Sequence, residues 1–286
     1  MNNVLEISGL NKSYGDFALN DVSFSLQEEC ITGFIGINGS GKTTTIKTIL
    51  GLIMRTSGTV KFFGKDMDKH EHELKNRIGV VLDGSCFYDE LTMKEMKSII
   101  APAYSSWSER DYKAYMERFS LNPCKKISTL SKGMSMKFAL TLALSHQADL
   151  LIMDEPTSGL DPLIRSQLMN ILTDYMKQGG KSVFFSTHIT SDLDKIADMI
   201  VLINNGKILF EEEKDTLIDT HRLVKGDSKD LTVETRKLFL NIEESGFGFI
   251  GITNKLSQVQ KSIKEILVER PTIEDIMLSY VEGGGK

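Results

Sequence analysis

Apolar and polar residues alternate from Val4 to Ser8 and again from Val22 to Leu26, the period-two pattern of half-buried antiparallel strands. Tyr14-Gly15-Asp16 punctuates the chain between them. An unbroken apolar run, Ile31 to Ile35, predicts a strand, and a helix-like segment from Thr43 to Leu52 follows it. Thr59 to Phe63 and Ile78 to Leu82 read as further strands. From about Thr92 to Leu144 the period turns helical. Trp107, Tyr112, Tyr115 and Phe119 recur there at near-helical spacing, a stripe that reads as core rather than as a ligand site, and Ser108 with Asp111 fits a capping box. A buried strand (Leu150 to Met153), a helix from Pro162, a strand (Ser182 to Ser186) and a short helix come next. Met199–Ile203 and Lys207–Phe210 then form a hairpin on Asn205-Gly206. Strands alternating with helices predict the α/β class: a mostly parallel sheet with helices on both faces.

The pattern changes beyond residue 210. Glu211-Glu212-Glu213 leads into a helix-like stretch. A polar break (Lys225 to Lys229), an amphipathic run (Leu231 to Ile242), a strand (Phe247 to Thr253) and two helical segments follow, with Pro271 suited to the first turn of the last one. This reads as a small α+β appendage over residues 211–286, with Gly283 to Lys286 as a frayed end.

Composition narrows the setting. At 286 residues and 41% hydrophobic, the chain suits one large α/β domain with an appendage. A net charge of −5 gives no reason to expect nucleic acid as a partner. Cys30, Cys86 and Cys124 are far apart, have no paired metal spacing, and read as reduced thiols. The first residues lack a basic region followed by an apolar one, and no apolar run approaches the ~20 residues that span a bilayer. The chain is expected to be soluble by itself; any membrane process it serves needs a separate pore subunit.

The chemistry is concentrated in four places. Gly36-Ile37-Asn38-Gly39-Ser40-Gly41-Lys42-Thr43 fits Gly-x-x-x-x-Gly-Lys-Thr between a strand and a helix. Its glycines let backbone N–H groups turn toward a phosphate chain, the helix N-terminus adds positive potential, Lys42 is expected to reach the β- and γ-phosphates, and the Thr43 hydroxyl is expected to hold Mg²⁺. Asp154-Glu155 ends an apolar strand, where a parallel sheet places its ligands. Asp154 is expected to meet the Mg²⁺, and Glu155 to orient or deprotonate the attacking water. His188 ends another apolar strand and is a candidate for the γ-phosphate and that water. Leu130-Ser131-Lys132-Gly133-Met134 opens a long helix; taken alone Ser131 is its N-cap, yet a hydroxyl, a glycine N–H and a helix N-terminus also make an anion site. Two phosphate-binding elements in one chain suggest a nucleotide shared with another subunit.

These segments, in this order, resemble the ATP-binding subunits of ABC transporters over essentially residues 1 to 210. Gly36 to Thr43 matches Walker A, Leu150 to Glu155 Walker B, Ser158-Gly159-Leu160-Asp161 the D-loop, and His188 the switch histidine. Tyr14 matches the aromatic residue stacked on adenine, and Leu130 to Met134 is similar to the Leu-Ser-Gly-Gly-Gln signature. The resemblance implies a P-loop NTPase core (1–210) with an antiparallel β subdomain and a helical subdomain at about 84–147, followed by the accessory region 211–286. It implies ATP contacts from Tyr14, Gly36, Asn38, Gly39, Ser40, Gly41, Lys42, Thr43, Thr44, Ser131 and Gly133; a Mg²⁺ site at Thr43, Asp154 and Asp83; and catalysis by Glu155, His188 and Lys42. It also implies a second ATPase subunit closing head to tail over two ATP, a membrane-spanning permease, and a cytoplasmic position peripheral to the inner face of the membrane. ATP hydrolysis would then drive transport.

The chain departs from the pattern at three positions. Asp83 stands where the Gln-loop carries glutamine, Lys132 replaces a signature glycine and Met134 the signature glutamine. Lys132 is expected to be solvated rather than to lend charge to the shared site. Phe87 and Tyr88 read either as anchors for a coupling helix of the membrane subunit or as helical-subdomain core. The signature and the tail Pro271 to Leu278 look like single-domain ATPases of bacterial ABC-2-type exporters of the bacitracin, YtrB and phenol-soluble-modulin types. A soluble ABC ATPase of ribosomes or DNA is the alternative; one ATPase half, no coiled-coil insert and no basic surplus weigh against it.

Overall fold

The structure is a computed structural model and describes residues 2–84 and 87–283; Cys86 and the expected frayed end at 284–286 lie outside them. The elements follow in chain order: β1 (Asn3–Tyr14), β2 (Phe17–Gln27), β3 (Ile31–Ile35), α1 (Lys42–Ile49), β4 (Ser57–Phe62), β5 (Lys65–Asp66), α2 (Met67–Lys75) and β6 (Ile78–Val81). Then come α3 (Met93–Ile100), α4 (Glu109–Arg118), α5 (Lys132–Ser145), β7 (Leu150–Met153), α6 (Pro162–Met176), β8 (Ser182–Thr187), α7 (Thr190–Ile196), β9 (Met199–Asn204) and β10 (Lys207–Glu213). The remainder is α8 (Lys214–Thr220), β11 (Arg222–Gly226), α9 (Val233–Arg236), β12 (Asn241–Ser245), β13 (Gly248–Thr253), α10 (Leu256–Ser262), β14 (Ile266–Glu269) and α11 (Ile273–Gly283).

The central sheet has the order β10-β9-β3-β8-β7-β6, parallel except for β10 at one edge. Its inner strands β3, β7, β8 and β9 are buried along most of their length because both faces are covered, and successive residues enter different cores, whereas the edge strand β10 is largely exposed. Leu151, Met153, Val183, Phe185, Ile200 and Leu202 face the helical side. Leu150, Ile152, Phe184, Val201 and Ile203 face the antiparallel sheet β2-β1-β4-β5. There Phe24, Phe34 and Phe184 pack with ring centroids 5.3–5.7 Å apart. The alternation of elements predicts helices on both faces; on this second face α1 and α2 contribute Ile46, Ile49 and Leu74, but the antiparallel sheet shares the cover with them.

Local details differ from expectation. Ser108 caps α4 by accepting the Asp111 N–H at 3.2 Å, but its own N–H goes to Ser145 O, so the reciprocal half of a capping box is missing. A complete box opens α3 instead, between Thr92 and Glu95. Tyr112 and Phe119 are buried, with Trp107 and Tyr115 packed alongside, as the aromatic stripe predicts. Phe87 joins that core edge-on to Phe138, at 5.1 Å, while Tyr88 is 66% exposed.

In the C-terminal region, Glu211–Glu213 end strand β10, and helix α8 follows directly from its N-cap Glu213, as the helix-like stretch predicts. Lys225 and Gly226 belong to β11 rather than to a break, and the run from Leu231 to Ile242 divides between α9 and the start of β12. Strand β14 separates the last two helices and completes an antiparallel sheet, β12-β13-β11-β14, over a small core of Val224, Phe249, Val259 and Ile263. Pro271 lies outside α11: Thr272 precedes and caps the helix, its hydroxyl accepting the Asp275 N–H at 3.1 Å while the Asp275 carboxylate accepts the Thr272 N–H at 2.8 Å. Gly283 is the last residue of that helix, not a loose end.

Candidate functional site

The order β3-β8-β7-β6 brings four chain segments to one edge of the sheet. Ile35 pairs with Thr187, Met153 with Phe185, and Val81 with Met153. The residues just beyond these strand ends are the glycine-rich loop, His188, Asp154-Glu155 and Asp83, so residues about 150 apart in sequence become neighbours.

The loop from Gly36 to Gly41 turns β3 into α1. Gly41 has φ 114°, and a β-carbon there would lie 2.9 Å from Phe17 Cζ, so only glycine fits. The first helical bond is Thr45 N–H to Gly41 O at 2.8 Å, which leaves the first-turn N–H groups without helical acceptors. Asn38, Gly39, Gly41, Lys42, Thr43 and Thr44 line a cleft of ≈ 520 Å³, opposite Asp83, Glu155 and His188. Gly36 and Ser40 lie in the floor of the loop, both buried.

Lys42 is 5% exposed, and a buried ammonium is costly unless each N–H is matched. Three acceptors match it: Gly36 O at 2.8 Å, Ile37 O at 3.3 Å and Glu155 Oε1 at 3.2 Å. The other Glu155 oxygen accepts from His188 Nδ1 at 2.7 Å, so that nitrogen carries the proton of the bond. Glu155 itself sits at φ 48°, a left-handed position unusual for a side-chain-bearing residue. Its N–H is taken by Ser186 Oγ at 2.9 Å, and the same hydroxyl donates to Asp154 Oδ1 at 2.6 Å. Asp154 is 1% exposed. Ser186 was not among the residues expected from sequence; the signal is the β7–β8 register, which places residue 186 beside residue 154.

Other expected residues stand elsewhere. Tyr14 is cross-strand from Phe17 at the end of the β1–β2 pair, with Lys12 Nζ 5.0 Å from its ring centre, and Phe17 is the aromatic residue that lines the cleft. Ser131 caps α5 through the Met134 N–H at 3.3 Å and is exposed. Gly133 is buried where a β-carbon would come within 2.6 Å of Ile164 Cδ1, so the glycine lets α5 approach α6. Asp83 pairs with Lys132 at 3.2 Å, and the Lys132 stem lies along Gly159. Lys132 is exposed, as expected of a solvated residue, and it also meets the Asp83 carboxylate. Asp83, Lys132, Asp154 and Glu155 also border a second cavity of ≈ 680 Å³ beneath the helical region.

A family profile described as "ABC transporter" matches residues 19–158. The chain is similar to the bacitracin transport ATP-binding protein BcrA of Bacillus licheniformis, 32% identical over 99% of this chain and 99% of that protein. It is also similar to the lantibiotic transport ATP-binding protein SrtF of Streptococcus pyogenes, 31% identical over 74% of this chain and 92% of that one. Among solved structures, an ATP-binding subunit of an ABC transporter superposes with a TM-score of 0.69 at 28% identity, covering 76% of this chain and 92% of that one. CbiO1 from Clostridium perfringens shares the fold with a TM-score of 0.64. Among the described residues no helix is long and apolar enough to cross a membrane. The chain belongs to the ABC transporter family, as an ATP-binding, ATP-hydrolysing subunit with the P-loop fold of that family.

Proposed function

We propose that this chain is the ATPase of a bacterial exporter whose membrane-spanning permease is a separate protein, and that it works in the cytoplasm against the inner face of the membrane. Two of these subunits, or one with a related subunit, would close over two ATP. The cleft by Lys42 and Thr43 of one subunit would then face Ser131 and Gly133 of the other. That arrangement accounts for a helix cap, Ser131, that lies apart from the cleft of its own chain. The relatives that transport bacitracin and lantibiotics favour an antimicrobial or amphipathic peptide as cargo.

The observation that carries the hydrolytic reading is the Glu155 carboxylate, held by Lys42 at 3.2 Å and His188 at 2.7 Å. A carboxylate gripped from both sides is preorganised to orient a water and accept its proton. When a triphosphate occupies the cleft, the Lys42 ammonium is positioned to exchange Glu155 for phosphate oxygen, freeing the base. His188 then keeps the carboxylate oriented.

Among the described residues no group of three or more His, Cys, Asp or Glu forms a metal cage. The Thr43 hydroxyl and the buried Asp154 carboxylate are hard oxygen donors, which suit Mg²⁺ that is otherwise ligated by phosphate and water. They would hold the ion, with Asp83 reaching it through water, and the bound ion supplies neutralisation of phosphate charge.

Glu155→Gln tests this reading. The variant should bind ATP with near-normal affinity, lose turnover by about 100-fold or more, and remain as a long-lived ATP-bound dimer. Normal steady-state hydrolysis would remove Glu155 from the role of base. Co-purification with a multi-span membrane protein, rather than with ribosomes or DNA, checks the exporter assignment.

A further inference from the structure

We infer that helix α11, the last element of the C-terminal region, positions the His188 loop, with Glu274 as a positioning residue acting through Thr190. The inference rests on the reading of Glu155 and His188 as the hydrolytic pair.

His188 lies between β8 and the start of α7, two residues before Thr190. Helix α7 has no side-chain cap of its own. Its first turn is held instead by two other helices. From α6, Arg165 reaches Asp192 Oδ1 at 2.5 Å and Ser191 Oγ at 3.3 Å. From α11, Glu274 Oε2 accepts the Thr190 hydroxyl at 3.3 Å. Thr190, Asp192 and Leu193 are all buried, so this turn cannot shift without disturbing its neighbours. On the same side, Ile273, Ile276 and Met277 of α11 enter the main core with Leu193.

The far end of α11 faces the C-terminal sheet. Glu282 accepts from Asn241 Nδ2 of β12 at 2.7 Å, and a β-carbon on Gly283 would lie 2.1 Å from Leu240 O. Tyr280 packs edge-on to Phe210, at 5.0 Å, and its hydroxyl lies 3.1 Å from His221 Nε2. Helix α11 is thus a strut of about 16 Å between the C-terminal sheet and the turn that carries His188. Burial of its apolar face does not need the Glu274–Thr190 bond, because Glu274 stands on the exposed flank. The bond fixes the angular position of α7 rather than its attachment. Catalytic groups lose rate when displaced by a fraction of an ångström.

The test compares steady-state MgATP hydrolysis by the full-length chain and by Glu274→Ala, Thr190→Val, their double variant, Glu274→Gln and His188→Ala. Glu274→Ala and Thr190→Val should each lower kcat about threefold to tenfold, with KM for ATP within about twofold. The double variant should be no slower than the slower single, and Glu274→Gln, which keeps an acceptor oxygen, should be close to the parent. Thr190→Ser against Thr190→Val gives the same comparison should Glu274→Ala not fold. An unchanged kcat in Glu274→Ala and Thr190→Val, a parallel rise in KM, or multiplicative losses in the double variant would overturn the role of α11. If His188→Ala itself turns over normally, the hydrolytic reading fails; if it is inactive while Glu274→Ala is unaffected, only the strut fails.

Discussion

Lys132 and Asp83, two residues at which the chain departs from its family pattern, lie 3.2 Å apart. Both side chains are about half exposed, and ion pairs of that kind contribute little to stability. Their consequence is local charge. Asp83 lines the cleft with Glu155, and in the proposed reading of that cleft as the ATP site Lys132 would offset a carboxylate that otherwise repels a triphosphate. Lys132→Gly alone should raise KM for MgATP about threefold at low salt and less at high salt. Adding Asp83→Gln should restore it. An unchanged KM in the single variant at low salt would show that solvent alone neutralises Asp83. Each residue of the pair was legible in the sequence as a departure; that they meet was not, because 49 residues and a change of subdomain separate them. Phe17 was missed for a similar reason, since which member of the Tyr14–Phe17 cross-strand pair faces the cleft depends on how the β1–β2 hairpin lies over the loop.

The apolar runs β3, β7, β8 and β9 were readable as strands, and burial on both faces explains their lack of alternation. Helix α2 was not readable, because only Met67 and Leu74 of its nine residues are buried and no period emerges from two anchors. Strand β14 was hidden by its four-residue length, and its partner β11 lies about 40 residues earlier. Strand register also governs the site. Ser186 serves Asp154 and Glu155 only because β7 and β8 are paired with no slip. Ser186→Ala removes a donor from a buried carboxylate and an acceptor from the N–H of a left-handed residue. It should cost about 1–3 kcal/mol of stability, measured by urea unfolding, and lower kcat more than it raises KM. A variant as stable and as active as the parent would mean that water replaces the hydroxyl.

In the whole molecule, the main core extends past residue 210 through Leu217, Ile273, Ile276 and Met277, while the C-terminal sheet packs on a small core of its own. Two buried histidines sit at the seams. His146, at the end of α5, stacks on Tyr104 at 3.9 Å, and its ring nitrogens face Leu142 O and Ile78 O, each at 3.2 Å. His221 joins α8 to α11 through Leu217 O at 2.8 Å and the Tyr280 hydroxyl at 3.1 Å. Burial holds both rings below the ordinary value of 6.5; the carbonyl bonds oppose this, as does Glu212 for His221, while Lys181 assists it for His146. The folded chain therefore binds fewer protons at these rings than the unfolded chain does just below pH 6.5. Their stabilising contribution is complete above that pH and is lost as pH falls through the folded-state values. Each ring should contribute up to about 1.4 kcal/mol per pH unit within that window. Carboxylates such as Asp149, where burial pushes the pKa up but bonds and charge from Arg77 and Lys181 together outweigh it, release their contribution only below about pH 4, so the two effects separate. Urea midpoints measured between about pH 7.5 and pH 5 should fall on acidification, and His146→Gln or His221→Gln should flatten that slope even while lowering stability at neutral pH. A slope that both substitutions leave intact would assign the acid sensitivity to other groups and leave the seams as packing alone.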